Sequence, residues 1–197
     1  MPLLDHFRPP LSDGRNWPAF LSMWATSIAA GLNSRLPEGY FAEQTVQFPE
    51  QFQVNIYHDT VQGRPQLAGA VELVSPANKD RPETRQALIN KCATYIQAGV
   101  GVVLVDVVTE RSADFHHELL VRLGVTIADA GPPLFASAYR PVERDGASAL
   151  DVWLEPVALG QPLPTLPLWL RGGLCLPVEL EATYERTCTE QRVRLVA

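Results

Sequence analysis

The residue in this chain that most needs a chemical explanation is Glu72. It lies in residues 67–74 (LAGAVELV), which are apolar on both faces of a two-residue period, as expected of a strand covered on both sides. An ionised carboxylate in such a strand is costly unless a cation, a metal ion or hydrogen bonds stabilise it. The helix predicted to follow carries Lys91. Glu72 is therefore either one half of an internal ion pair or part of a functional site.

The elements that would position Glu72 follow from the spacing of apolar residues. Residues recurring at helical spacing on one stripe predict a first helix from Trp17 to Leu36, ended by Pro37 and Gly39. Two strands follow, at residues 40–48 and 52–58, separated by a turn that contains Pro49. A second turn at residues 60–66 leads into the strand of Glu72.

The segment after Glu72 predicts a helix and then another buried strand. Asp80 and Glu83 have the spacing of a capping box, and Pro82 suits the first turn of a helix that ends at Gly99. Residues 100–108 form the buried strand, which contains a second isolated carboxylate, Asp106. The predicted order is thus helix, three strands, helix, strand.

The remainder of the chain predicts an irregular extension packed on this core. Its predicted elements are a short helix at 114–123, strands at 134–142 and 149–156 around an Asp145-Gly146 turn, an apolar proline-rich wrap at 160–177 and a closing helix at 178–192. Length and hydrophobic content fit one α/β domain, residues 1–197, with a core of about 17–108 and an extension of about 109–197.

Composition excludes several classes of protein. A net charge of −6 argues against a dedicated nucleic-acid coat or a membrane-surface protein, so contact with nucleic acid would need a local basic patch. Lys79, Arg81 and Arg85 form such a patch or, alternatively, a solvated helix face. The three cysteines are widely spaced and no secretory leader pattern is found, which predicts reduced thiols and a cytoplasmic protein. No apolar run is long enough to predict a membrane span.

The central segment carries a resemblance to a known family. The sequence AVELVSPANK (70–79), a helix with Lys91 and the run QAGVGVVLVDVV (97–108) resemble an uncharacterised bacterial family, domain-of-unknown-function family 4058. The segments WPAF, LPEGY and WLRGGLCLPVELEATYE extend the likeness over most of the chain. That family is similar in turn to the restriction-endonuclease-like PD-(D/E)XK superfamily, whose core order is helix, three strands, helix, strand in a mixed sheet.

The resemblance implies a site for phosphodiester cleavage. In that superfamily an aspartate on the second strand and a D/E-x-K motif on the third hold Mg²⁺, which activates water, while the lysine stabilises phosphate charge. Glu72 matches the acid of the third strand, but Val74 stands where the lysine would be. Lys91 on the following helix, or Lys79 in the turn, would take the lysine's role.

The second-strand aspartate has no match. If the hairpin folds around residues 62 and 63, Glu72 lies opposite Gln53 or Val54, so Gln53 or Asn55 would occupy the ligand position. Asp59 is the nearest acid in sequence but lies near the turn.

Two functions follow from this incomplete match. The first is a non-catalytic binding or assembly module with a degraded metal site, for which a homodimer is one arrangement. The alternative is a Mg²⁺-dependent nuclease or nucleic-acid-processing enzyme that uses Glu72 and Lys91, completed by Asp59 or Asn55. The absent aspartate, the absent motif lysine and the acidic net charge favour the first.

Overall fold

The computed structural model describes residues 1–47, 51–60, 63–126 and 130–193. The elements in these residues are, in chain order, α1 (Leu11–Gly14), α2 (Trp17–Asn33), β1 (Tyr40–Gln47), β2 (Gln51–His58), β3 (Gln66–Leu73), α3 (Pro76–Asp80), α4 (Pro82–Gln97), β4 (Gly101–Asp106), α5 (Phe115–Arg122), β5 (Phe135–Arg144), β6 (Ala147–Pro156), β7 (Thr165–Trp169), β8 (Cys175–Glu179) and α6 (Leu180–Glu190). The predicted order helix, three strands, helix, strand is confirmed from α2 to β4, with the short α3 added. The turn residues Pro49 and Gln62 lie outside the described residues.

The central element of the fold is a mixed β-sheet. Within the described chain its strands lie side by side in sequence order, from β1 to β6. Neighbouring strands are antiparallel except β3 and β4, which are parallel. Parallel neighbours need a crossover that returns the chain to the same end of the sheet, and α4 provides it. The mixed α/β class is therefore confirmed.

The first helix begins at Trp17 as its sequence predicts and ends at Asn33, three residues before the predicted Leu36. The side chain of Asn16 caps α2 by accepting a hydrogen bond of 2.9 Å from the backbone N–H of Ala19. Pro18 lies in the first turn, where a missing N–H costs nothing. The predicted apolar stripe is buried in full from its first to its fifth residue: Leu21, Trp24, Ala25, Ile28 and Leu32.

The start of the crossover differs from the prediction. Asp80 does not cap α4; it is the last residue of α3 and pairs with Arg111. The capping box lies earlier, where the backbone N–H of Ser75 donates to Oδ1 of Asn78 at 2.9 Å. The prediction was wrong because it took the strand to be followed by a turn, whereas Pro76 begins a short helix at once.

The extension after β4 is more regular than predicted. β5 pairs with β4, and β6 pairs with β5 through the predicted turn, in which Asp145 and Gly146 have φ values of 52° and 77°. The prediction of an irregular extension is therefore wrong for β5 and β6. The hairpin they form pairs with the edge of β4 that would otherwise be open, and its hydrogen bonds satisfy the backbone groups of that edge. A separate two-stranded ribbon, β7–β8, and helix α6 follow.

Two layers cover the sheet. Helices α3, α4 and α5 pack on the face that carries Glu72, whereas α2 and the β7–β8 ribbon pack on the other face, and α6 packs against α2 and β7. None of the helices in the described segments combines the length and the apolarity needed to cross a bilayer.

The ribbon approaches the sheet closely at Gly101. A Cβ atom at this position would overlap the backbone carbonyl oxygen of Trp169 in β7, so the two backbones could not keep their spacing. We expect Gly101→Ala to lower the free energy of unfolding by about 1–3 kcal/mol through this overpacking. Urea denaturation measures the effect. Gly31→Ala in α2 is the matched control, because its Cβ would meet only an ordinary contact with Thr183 at 3.6 Å and a helical alanine is favourable; equal losses in both variants would contradict the close packing.

Candidate functional site

The buried polar side chains of the sheet lie on one face. Glu72 is in register with Gln53 on β2 and with Leu104 on β4, and Leu104 is in register with Ser137 on β5. Because residues in register share a face and alternate residues of a strand return to it, Asn55 and Asp106 lie on this face too. All five polar residues, namely Gln53, Asn55, Glu72, Asp106 and Ser137, are buried. This face is the one that α3, α4 and α5 cover.

Lys91 reaches this face from the middle of α4. Its Nζ atom lies 2.7 Å from Oε2 of Glu72, 2.8 Å from Oε1 of Gln53 and 3.2 Å from Oε1 of Gln51. An ammonium group has three donors, and each here has an oxygen acceptor. The side chain of Glu72 is 1% exposed and that of Lys91 is 16% exposed. The carboxylate is therefore sealed, and the ammonium closes the site on the side of Gln51.

Glu72 is electrostatically costly even with this partner. Burial raises the pKa of Glu72 above its ordinary range, and the charge and hydrogen bond of Lys91 oppose the rise. The second oxygen, Oε1, accepts no hydrogen bond from the described residues. Burial also raises the pKa of Tyr95, one helical turn after Lys91, to about 12, and the Glu72 charge adds to the rise. The carboxylate of Glu72 can therefore keep its negative charge only because Lys91 lies beside it.

Lys79 and Asp106 form a second buried ion pair on the same face. The Nζ atom of Lys79 lies 2.9 Å from Oδ2 of Asp106, and both side chains have no exposed surface. Nζ also donates to the carbonyl oxygen of Val108 at 2.6 Å, and the N–H of Val108 donates to Oδ1 of Asp106 at 3.0 Å. Burial raises the pKa of Asp106 to about 6, against the opposing effects of Lys79 and of the Val108 N–H. The chain has only two lysines, and each faces a buried acid of the sheet.

The other predicted ligands do not join Glu72 in one cluster. Asn55 is buried on the same face, two residues along β2 from Gln53, and its Nδ2 donates to the hydroxyl of Tyr57 at 3.2 Å. Asp59 is exposed beyond the end of β2, six residues and therefore about 20 Å along the chain from Gln53. The structure brings Glu72, Lys91 and Gln53 together and keeps Asp59 away.

The three residues of the predicted basic patch do not form a common basic surface. Lys79 is buried against Asp106, so its interpretation as a solvated or phosphate-binding group is wrong. Arg85 donates to Oε1 of Glu118 at 3.3 Å and to the carbonyl oxygen of Lys79 at 3.1 Å. Of the three, only Arg81 is exposed. Sequence reasoning missed the pairing of Lys79 with Asp106, because the parallel crossover, rather than any local motif, brings α3 to the end of β4. The isolated aspartate in an apolar strand was the signal that could have indicated a buried partner.

The residues at Glu72 do not fit the Mg²⁺ ion that the resemblance implies. Mg²⁺ requires near-octahedral oxygen ligands and keeps several waters. Here one sealed carboxylate and two neutral amide oxygens surround an ammonium group, which fills the position that a cation would need. Across residues 1–47, 51–60, 63–126 and 130–193, no three side chains of the His, Cys, Asp and Glu types converge as metal ligands would.

Asp106 makes stability depend on pH. Its pKa rises from an ordinary 3.8 to about 6 in the folded chain, so the folded state binds the proton more tightly than the unfolded state. This contribution is present below about pH 4 and is lost as pH rises through about 6, with a slope of up to about 1 kcal/mol per pH unit. We expect the free energy of unfolding of the natural chain to fall over this window relative to a Lys79→Met/Asp106→Leu variant. Parallel pH series of urea denaturation measure the difference; two parallel curves would contradict it.

Comparison with known proteins gives no relative: family models, curated proteins and solved structures alike produce no significant match to this chain.

Proposed function

We propose that this chain is a non-catalytic binding or assembly module on a restriction-endonuclease-like core, in which Lys91 stands in for the metal ion of the nucleases. The proposal rests first on the resemblance of residues 70–79 and 97–108 to family 4058. The order of elements from α2 to β4 and the parallel pairing of β3 with β4 agree with such a core. Free thiols at all three cysteines accord with a cytoplasmic protein.

One observation carries the proposal. The ammonium of Lys91 is bound by three oxygens, from Glu72, Gln53 and Gln51, at 2.7–3.2 Å. Gln53 faces Glu72 in register, where a nuclease of this superfamily would have its aspartate. Glu72 and Lys91 together carry no net charge, and the two glutamines are neutral. Such a site offers a divalent cation neither a second carboxylate nor an attractive field.

Metal binding and strand cleavage test the proposal together. Titration of the protein with Mg²⁺ and with Mn²⁺ in a calorimeter is expected to give no saturable heat, and incubation with supercoiled plasmid and either metal is expected to give no nicking. Glu72→Gln should change neither result. Glu83→Gln is the matched control, since it removes an exposed carboxylate from the first turn of α4. Saturable Mn²⁺ heat and nicking that Glu72→Gln abolishes and Glu83→Gln retains would establish the nuclease instead.

A gain-of-site variant sharpens the test. Gln53→Asp combined with Lys91→Met would set two carboxylates opposite each other on β2 and β3 and remove the ammonium between them. We expect Mn²⁺ to bind and stabilise this variant in thermal unfolding, while the natural chain shows no shift. A shift of the natural chain equal to that of the variant would contradict the role given to Lys91.

Assembly is the second part of the proposal. β1 and β6 end the six-stranded sheet, and within the described residues each pairs on one side only. Edge strands of this kind accept a further strand from a partner. A homodimer formed in this way would appear in light scattering as a mass of about twice the 21.7 kDa of the chain.

A further inference from the structure

The β5–β6 hairpin continues past the sheet as an arm. β5 pairs with β4 only from Phe135 to Tyr139, and the hairpin pairing runs on to Arg144 and Ala147. Because strand residues alternate between faces, Arg140 and Arg144 point away from Tyr139, toward the β7–β8 ribbon. A cavity of about 410 Å³ lies there between the arm and the ribbon. We call it the arginine pocket and define it by Arg140, Arg144, Asp151, Trp169 and Arg171.

Each arginine of the arginine pocket is held in position. The guanidinium of Arg140 lies over the Trp169 ring, 3.6 Å from its centre. Nη2 of Arg144 donates to Oδ1 of Asp151 at 2.6 Å, and Arg171 donates to the carbonyl oxygen of Ala98 at the end of α4. Guanidinium groups fixed in this way lose little conformational entropy when a ligand binds.

Arg140 has unused hydrogen-bonding capacity. Its side chain is only 32% exposed, and its contact with Oδ2 of Asp151, at 3.8 Å, is too long for a hydrogen bond. No hydrogen bond of its guanidinium group is found within the part of the chain that the structure describes, although the group has five donors. The residues that line the cavity include three arginines and two acids, Asp151 and Glu143, so their formal charges sum to +1 in a chain whose net charge is −6.

We propose that the arginine pocket binds the phosphate group of a small phosphorylated ligand. Forked donors on two or three arginines match the oxygens of a phosphate dianion, and the excess positive charge matches its sign. The cavity volume is in the range of small-molecule sites. The two glycines at the ribbon turn, Gly172 and Gly173, add no side chains to the cavity wall.

The geometry favours a small ligand over a nucleic-acid strand. A polymer backbone is bound along an extended basic surface, whereas this positive charge is confined to one concavity with carboxylates in its wall. The arginine pocket lies on the opposite sheet face from Glu72 and, beside Gly99, at the opposite end of β4 from the Glu72 site. The inference therefore does not depend on the function proposed for the Glu72 site.

Calorimetry on the natural chain in phosphate-free buffer at low ionic strength tests the inference. The probes are inorganic phosphate, adenosine monophosphate, adenosine and a single-stranded oligonucleotide. We expect saturable binding of adenosine monophosphate or of phosphate with a dissociation constant below about 1 mM, and none of adenosine. Binding of phosphate alone identifies the free ion as the ligand, and tighter binding of the nucleotide identifies a phosphomonoester. No saturation by either one up to about 10 mM overturns the inference, as does binding of the oligonucleotide alone.

Variants locate the binding. Arg144→Gln keeps the stacking of Arg140 on Trp169 and is expected to weaken phosphate binding about 10-fold or more, as is Arg140→Gln. Arg64→Gln is the matched control, because Arg64 is an exposed arginine outside the arginine pocket. Thermal unfolding checks that each variant is folded. An equal loss of affinity in Arg64→Gln, or no loss in a folded Arg144→Gln, would overturn the assignment.

Cys175 provides a local readout. It faces Trp169 across the ribbon and is exposed, while Cys92 and Cys188 are buried. Partial burial raises the pKa of the Cys175 thiol, and the Arg140 charge opposes the rise. A phosphate bound at Arg140 would offset that charge and slow the alkylation of Cys175. An unchanged alkylation rate at saturating ligand would contradict binding at Arg140.

Discussion

Replacement of Lys79 by methionine is expected to destabilise the fold by about 3–5 kcal/mol at pH 7. The variant leaves Asp106 in the sheet with no cation, and both side chains of the pair are completely buried. It also leaves the carbonyl oxygen of Val108 without its donor. Urea denaturation with tryptophan fluorescence measures the loss, which would remove much of the stability of a typical domain.

A double variant separates the charge from the packing. Lys79→Met/Asp106→Leu removes both charges and keeps apolar volume, so we expect it to recover most of the loss. Arg81→Met, two residues after Lys79 but exposed, is the matched control and should change stability by about 0.5 kcal/mol or less. A loss below about 1 kcal/mol in Lys79→Met would mean that Asp106 does not carry its charge in the folded chain.

Replacement of Lys91 by methionine is expected to cost about 3 kcal/mol, somewhat less than the change at Lys79. The reason is that Lys91 is 16% exposed, so water can reach part of the vacated site. In this variant the buried carboxylate of Glu72 would have only the two glutamine side chains beside it and no cation. We expect Lys91→Met/Glu72→Gln to recover most of the loss in urea denaturation, because the neutral amide needs no cation.

The Lys91→Met variant should also respond to pH in a defined direction. Without the ammonium, the opposing effect on the Glu72 pKa disappears and the folded-state pKa rises further above 4.5. The protonated form is then favoured in the folded chain, so the loss of stability should be small near pH 4 and grow as pH rises toward neutrality. A loss that is independent of pH would show that packing, rather than the charge on Glu72, sets the cost.

Local chemistry in the sequence indicated part of the Glu72 site. A carboxylate in a strand buried on both faces needs a partner, and the sequence offered Gln53 or Val54 as its neighbour on the second strand and Lys91 or Lys79 as its cation. The structure places Gln53 and Lys91 beside Glu72. The pairing of Lys79 was beyond such reasoning, because Asp106 is 27 residues away and only the folded crossover brings α3 to the end of β4.

The β7–β8 ribbon shows a different limit of sequence reasoning. Its prolines argue against a strand, since a proline cannot donate to a ladder. In the structure Pro167 and Pro177 stand opposite each other, three pairs from the hydrogen-bonded Leu170–Leu174 pair, and therefore at a non-hydrogen-bonded position where neither N–H would point at the partner strand. The arginine pocket was equally hidden, because the arm and the ribbon that form it are brought together only by the packing of the ribbon on the sheet.

The chemical reactivity of the two lysines reports on local opening of the fold. Acylating reagents attack only neutral, accessible amines, and Lys79 is completely buried while Lys91 is mostly so. Lys79 would react only when α3 detaches from the sheet, whereas the partly exposed Lys91 can also react without such opening. The modification rate of Lys79, resolved by peptide mass spectrometry and compared with that of Lys91, therefore measures the opening free energy of this segment without any engineered label.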